Sequence, residues 1–148
     1  MGFLGTTAGI PADINLILQI AILCFLLIGR SRARRKNFKQ HGKYMTVAVA
    51  LNTASLATIM LPSFLLGLGF IAINPANPLS IIAILHAGLG TVSLTLGYYL
   101  ALKWRLNKPL VECLKNRRFM KPTIILWATT ATIGILLYIE LYVLAKPG

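Results

Sequence analysis

Four apolar runs separated by clusters of like charge constrain this chain more than any other feature. A helix needs about 20 predominantly apolar residues to cross the hydrocarbon core of a bilayer. Runs that meet this length lie at about 12–30, 44–73, 80–103 and 122–145. The pattern predicts an all-α polytopic membrane protein: a four-transmembrane-helix bundle built from two helical hairpins, in a single membrane domain over 1–148. Charged residues make up only 12% of the chain, against roughly 25% in soluble domains. Lipid in place of water over most of the surface explains the deficit. Pro122 suits the first turn of the fourth helix, where its missing N–H costs nothing. Pro62 interrupts the second run and predicts a kink there, with neighbours satisfying the freed carbonyl.

The charges orient the bundle. Lys and Arg number 15 against 3 Asp and Glu, for a formal net charge of +12. Arg30, Arg32, Arg34, Arg35, Lys36, Lys39 and Lys43 fall in one basic loop, 30–43. Lys103, Arg105, Lys108, Lys115, Arg117, Arg118 and Lys121 fall in the other, 103–121. The middle connection, NPANPLS, has no cation, and Lys146 is the remaining one. The positive-inside rule places both basic loops in the cytoplasm and both termini outside, in the cell membrane. Cations confined to loops between spans point to acidic lipid headgroups or a partner protein, not to nucleic acid. Arg30, Arg32, Arg34, Arg35, Arg117 and Arg118 are the candidates for that contact.

No basic n-region precedes the first apolar run, so no secretory signal is expected. Gly2 followed by Thr6 fits a myristoylation pattern, which an external N-terminus disfavours. Cys24 and Cys113 belong to a span and an inner loop, so two free thiols are expected. An internal repeat appears at an offset of 75 residues: HGKYM at 41–45 aligns with NRRFM at 116–120, and Arg30 with Arg105. Each half is a helix, a basic loop and a returning helix, which suggests a pseudo-two-fold axis along the membrane normal.

Small and polar residues mark helix contacts in lipid, where apolarity does not drive helices together. His86, Gly90, Ser93 and Gly97 share one face of the third helix. Asn52, Ser55 and Pro62 form a stripe on the second, and Asn15 and Gln19 stand one turn apart on the first. Trp127, Thr130, Gly134 and Tyr138 share a face of the fourth. Gly90, Ser93, Gly97, Asn52 and Gly134 are therefore the candidate packing positions.

Ionisable residues within a span are costly and mark function by default. Two qualify, His86 and Glu140, with Asp13 at the outer boundary. His86 lies six residues in from Ser80, a depth of about 9 Å at 1.5 Å per residue. Glu140 and Gln19 lie at comparable depths. The functional reading makes His86 and Glu140 a metal, proton or quinone site, with copper or haem as candidate cofactors. The structural reading has His86 bonded to a neighbouring helix and Glu140 snorkelling toward Lys146 or a partner subunit. Either reading expects both to be shielded from bulk lipid. His41, assigned to the inner loop, is a bilayer away from His86, so an intrachain bis-histidine haem is not expected. There is no cysteine pair, phosphate loop or nucleophile–base constellation, so the chain is not expected to be an enzyme.

Three blocks carry a resemblance. They are KQHGKYMTVAVA, then ILHAGLGTVSLTLGYYLALKWR, then KNRRFMKPTIILWATTATIGILLYIELYV with Trp127 and the Gly134–Tyr138 pair. Over about Ile14 to Tyr142 the chain resembles the YozB/CtaM family, small four-helix membrane proteins linked to maturation of haem–copper cytochrome oxidase. Two departures stand out: Asn116 where a His is usual, and a second helix ending PSFLLGLGF before a short loop. The resemblance implies a non-catalytic assembly factor or accessory subunit of a respiratory haem–copper oxidase complex, with that complex's membrane subunits as partners. Two alternatives follow from the residues. One is a permanent accessory subunit of another membrane metalloenzyme, such as a copper-dependent monooxygenase; the other is a haem- or quinone-binding redox carrier.

Overall fold

A computed structural model describes residues 2–106 and 117–144. Helices and turns account for the described residues, with no strand among them. Helix α1 spans Ile10–Arg34 and α2 spans Phe38–Ser55. A π-helical turn, Leu56–Met60, joins α2 to α3, Leu61–Ile73. Helix α4 spans Pro78–Leu106, and α5, Arg117–Ile139, ends in a second π-helical turn, Glu140–Leu144. Four of these helical stretches are long and apolar enough to cross a membrane.

The inner basic loop expected at 30–43 is mostly helix. Only Arg35, Lys36 and Asn37 separate α1 from α2. The chain turns there by a Schellman motif, in which the last carbonyls of a helix receive two reversed bonds. The Asn37 amide donates to the Arg32 carbonyl and the Lys36 amide to Ala33, each at 3.0 Å. Lys36 takes the left-handed φ of +60° that the motif requires. Asn37 then caps α2, its side chain accepting from the Gln40 amide at 3.2 Å. His41 consequently lies in the first turn of α2, not in a loop. It is buried, with Nδ1 2.8 Å from the Gly29 carbonyl. A Cβ on Gly29 would come within 2.6 Å of the Met45 methyl and 3.3 Å of the Tyr44 Cβ, so a larger residue would have to displace the end of the Met45 side chain.

The second span is one continuous stretch, Phe38–Ile73. Proline has no N–H, and its ring crowds the carbonyl four residues back. Here the widened turn just before Pro62 absorbs that mismatch, and the Leu61 amide reaches the Leu56 carbonyl five residues back. The extra residue rotates α3 relative to α2. Pro62 therefore leaves the stripe of Asn52 and Ser55 and is exposed. Pro122 also departs from expectation: α5 is already helical at Arg117, so the proline is inside the helix. Residues 107–116, most of the second basic loop with Cys113 and Asn116, lie outside the described residues, as does Lys146.

Extensive contacts join α1 to α2, α4 to α5, α2 to α4, and α1 to α5. The helices thus form a ring of two hairpins, with the α1–α2 seam facing the α4–α5 seam. Ile22, Leu26, Ala48, Val49, Leu94 and Trp127 make the buried apolar core at its middle. Helix α3 is the exception. It has extensive contact with no other span, and none of its residues is buried.

Candidate functional site

Three polar groupings sit above the apolar core, toward the end of the bundle where the start of α1 meets the end of the last helix. The first joins α1 to α2. Gln19 donates to Asn52 Oδ1 at 3.5 Å and to Ser55 Oγ at 3.4 Å, and Ser55 donates to Asn15. In hydrocarbon the alternative to such partners is an unsatisfied group, so amides one turn apart on facing helices hold the seam in register.

The second joins α4 to α5. His86 Nδ1 is 3.0 Å from the Thr130 carbonyl, a group that helix α5 leaves free to take a second bond. A carbonyl only accepts, so Nδ1 carries the proton and Nε2 keeps its lone pair. The ring lies over Gly134, where a Cβ would come within 2.8 Å of its Cε1. Ser93 Oγ is 3.3 Å from Thr130 Oγ1 and also bonds the Leu89 carbonyl. A Cβ on Gly90 would stand 3.5 Å from the Thr130 methyl, an ordinary contact. Gly97, lower on α4, is far tighter: its Cβ would meet Trp127 at 2.8 Å and Val49 at 3.2 Å.

The third grouping was not foreseen. Residues 2–9 form a strap across the ends of α1 and the last helix. Asp13 is fully buried and accepts from the Leu4 amide at 3.0 Å and from the Tyr138 hydroxyl at 2.5 Å. Thr6 Oγ1 is 3.0 Å from the same hydroxyl. Thr7 donates to the Tyr142 carbonyl through its side chain, at 2.9 Å, and through its amide, at 3.3 Å. Tyr142 lies within the second π-helical turn, at the end of the described last helix. An aspartate in the first turn of an apolar helix, at the opposite end from its arginines, was the available signal.

Between these groupings lies a chamber of about 450 Å³. All four spans line it, with Trp127 as its floor and Tyr138 and Tyr142 toward the strap. Asn15, Gln19, Asn52, His86, Ser93 and Thr130 supply polar atoms to the lining. The described lining has one imidazole and no carboxylate, cation or thiol. Leu61, Ser63 and Phe64 of α3 form a thin wall, because α3 packs closely on no other span. Trp127 also borders a smaller cavity of about 50 Å³ below, where His41, Met45 and Met120 meet.

Glu140 is no part of the chamber. It is exposed on the last helix and has no hydrogen bond or ion pair among the described residues. Tyr138, two residues earlier, turns inward to Asp13. Helical geometry sends a residue two positions on to nearly the opposite side. Among the described residues Glu140 therefore neither meets His86 nor is covered by another helix. Among the described residues no group of three His, Cys, Asp or Glu side chains could hold a metal ion. Arg34, Arg35 and Arg118 are exposed and Arg30 and Arg32 half-buried, while the Arg117 side chain lies outside the description.

No protein-family model, no curated protein and no solved structure matches the chain.

Proposed function

We propose that the chain is a non-catalytic membrane protein that serves a haem–copper oxidase as assembly factor or accessory subunit, and that its chamber holds a lipid-soluble group in that service. The observation that carries the reading is the chamber. It combines a mostly apolar lining with a few placed polar atoms, as ligand sites do. Its thin wall beside α3 faces the lipid, so the bilayer is the source of its contents. The family resemblance supplies the oxidase. A second reading, a redox carrier, rests on the same chamber, with a lipid-soluble redox group as its content.

Purification in mild detergent, with mass spectrometry of what accompanies the tagged chain, tests the partnership. Oxidase subunits at a constant ratio, or oxidase precursors only, are the expected results. Constant company with a different membrane metalloenzyme would move the protein to that complex. Isolation alone would refute both accessory readings.

The service also requires an orientation. Because the ends of α1 and α5 meet at the strap, all the described basic residues gather at the opposite end of the bundle. We place that end in the cytoplasm by the positive-inside rule. A cysteine introduced at Ala76, in a chain whose own cysteines are replaced by serine, should react with an impermeant maleimide from outside the cell. Reaction only after the inner face is opened would invert the topology.

A further inference from the structure

The chamber's atoms say more about its ligand than that it is soluble in lipid. The inference here rests on the reading of the chamber as a binding site. We infer that the chamber takes a neutral, hydroxylated ring with an apolar tail, of the quinol class, with one hydroxyl on His86 and the opposite pole on Gln19 and Asn52.

Charge comes first. An ion taken into a site of low dielectric needs a partner of opposite sign. Among the described residues no Lys or Arg lines the chamber, so a lipid phosphate or the propionates of a haem would find no cation there. The Asp13 carboxylate at the strap is a further anion at that end of the bundle. A neutral ligand carries no such cost.

Hydrogen bonding sets the poles. With Nδ1 committed to Thr130, His86 offers an acceptor at Nε2 and has no other partner among the described residues. The ligand must therefore bring a donor, which a phenolic hydroxyl is and a quinone carbonyl is not. Across the ring of helices, Gln19 spends its amide nitrogen on Asn52 and Ser55. Its carbonyl oxygen and the Asn52 amide nitrogen remain, one acceptor and one donor, both on side chains of the lining. These suit the second hydroxyl of a ring that spans from one seam to the other. Phe64 and Trp127 of the lining supply aromatic surface for the ring itself. The thin wall at α3 is where a tail longer than the chamber would leave for the bilayer.

The full chain in phosphatidylcholine nanodiscs, titrated calorimetrically with decylubiquinol, haemin and phosphatidylglycerol, tests this. Saturable one-to-one binding of decylubiquinol is expected, with neither of the others competing. His86→Ala should weaken it roughly tenfold or more, the loss of one buried hydrogen bond. Ala87→Phe fills chamber space without removing a bond and should abolish binding while the thermal melt is retained. Undiminished affinity in a folded His86→Ala protein would overturn the assigned pole. Binding of haemin or phosphatidylglycerol instead, blocked by Ala87→Phe, would overturn the ligand class and leave the chamber as a site. Binding of none of the three would overturn the chamber reading as well.

Discussion

Replacing Gly97 by leucine should cost the bundle about 3 kcal/mol, the upper end for overpacking a filled interior. The neighbours are an indole ring and a β-branched side chain, on two different helices, already within 3.3 Å of where a single carbon would go. Neither can yield without opening a seam. Trp127 is also the wall between the two cavities, so its displacement would join them. Gly90→Leu should lose less than half as much, because its new carbon meets one methyl at ordinary distance and the chamber lies beside it. Unfolding of both variants in a detergent titration, followed by helical circular dichroism, provides the comparison. Equal losses would mean that the two glycines sit in equivalent contacts, contrary to the structure.

Asp13→Ala should release the strap. Its carboxylate takes the Leu4 amide and the Tyr138 hydroxyl together, and alanine takes neither. Hydrogen exchange at the Thr7 and Ala8 amides should speed up roughly tenfold or more, as in a local opening that has lost its charged acceptor. Tyr138→Phe should move the same amides in the same direction but less, since the Leu4 bond survives. Unchanged exchange at Thr7 in the Asp13→Ala protein would show that the Tyr142 carbonyl alone secures the segment.

Much of the fold could be read in the residues because lipid imposes so few options. An apolar run of sufficient length has to be a helix, and the cation-rich stretches could only be its ends. The lengths were underestimated because charge was equated with loop. Arg30, Arg32 and Arg34 continue α1 beyond its apolar run, where a helix still satisfies its own backbone and long side chains can carry their charge to water or headgroups. Pro62 was read as a kink because a strict 3.6-residue period leaves no other place for it. A widened turn changes the period itself, and no residue type announces one.

The chamber divides in the same way. Spacing alone put His86, Gly90, Ser93 and Gly97 on one face of α4, and the structure has them against α5 or the chamber. The pairing of His86 with Glu140 rested on depth, and depth says nothing about azimuth. The second π-helical turn and the inward turn of Tyr138 decide which way Glu140 looks. The strap was invisible for a different reason. Its bonds join residues 125 to 135 positions apart, through a segment whose glycines and threonines fit many conformations.

That separation has a consequence for how the molecule is made. Asp13 stands in the first turn of α1 and Tyr138 near the end of α5, so α1 is synthesised well before the hydroxyl that its carboxylate takes. Until then the carboxylate has no hydroxyl to meet, and the amide of Thr7 has no carbonyl to reach. The strap can therefore fasten α1 to α5 only once α5 has been made. A chain that lacks α5 would leave the Asp13 carboxylate without its hydroxyl donor and the strap held at Leu4 alone.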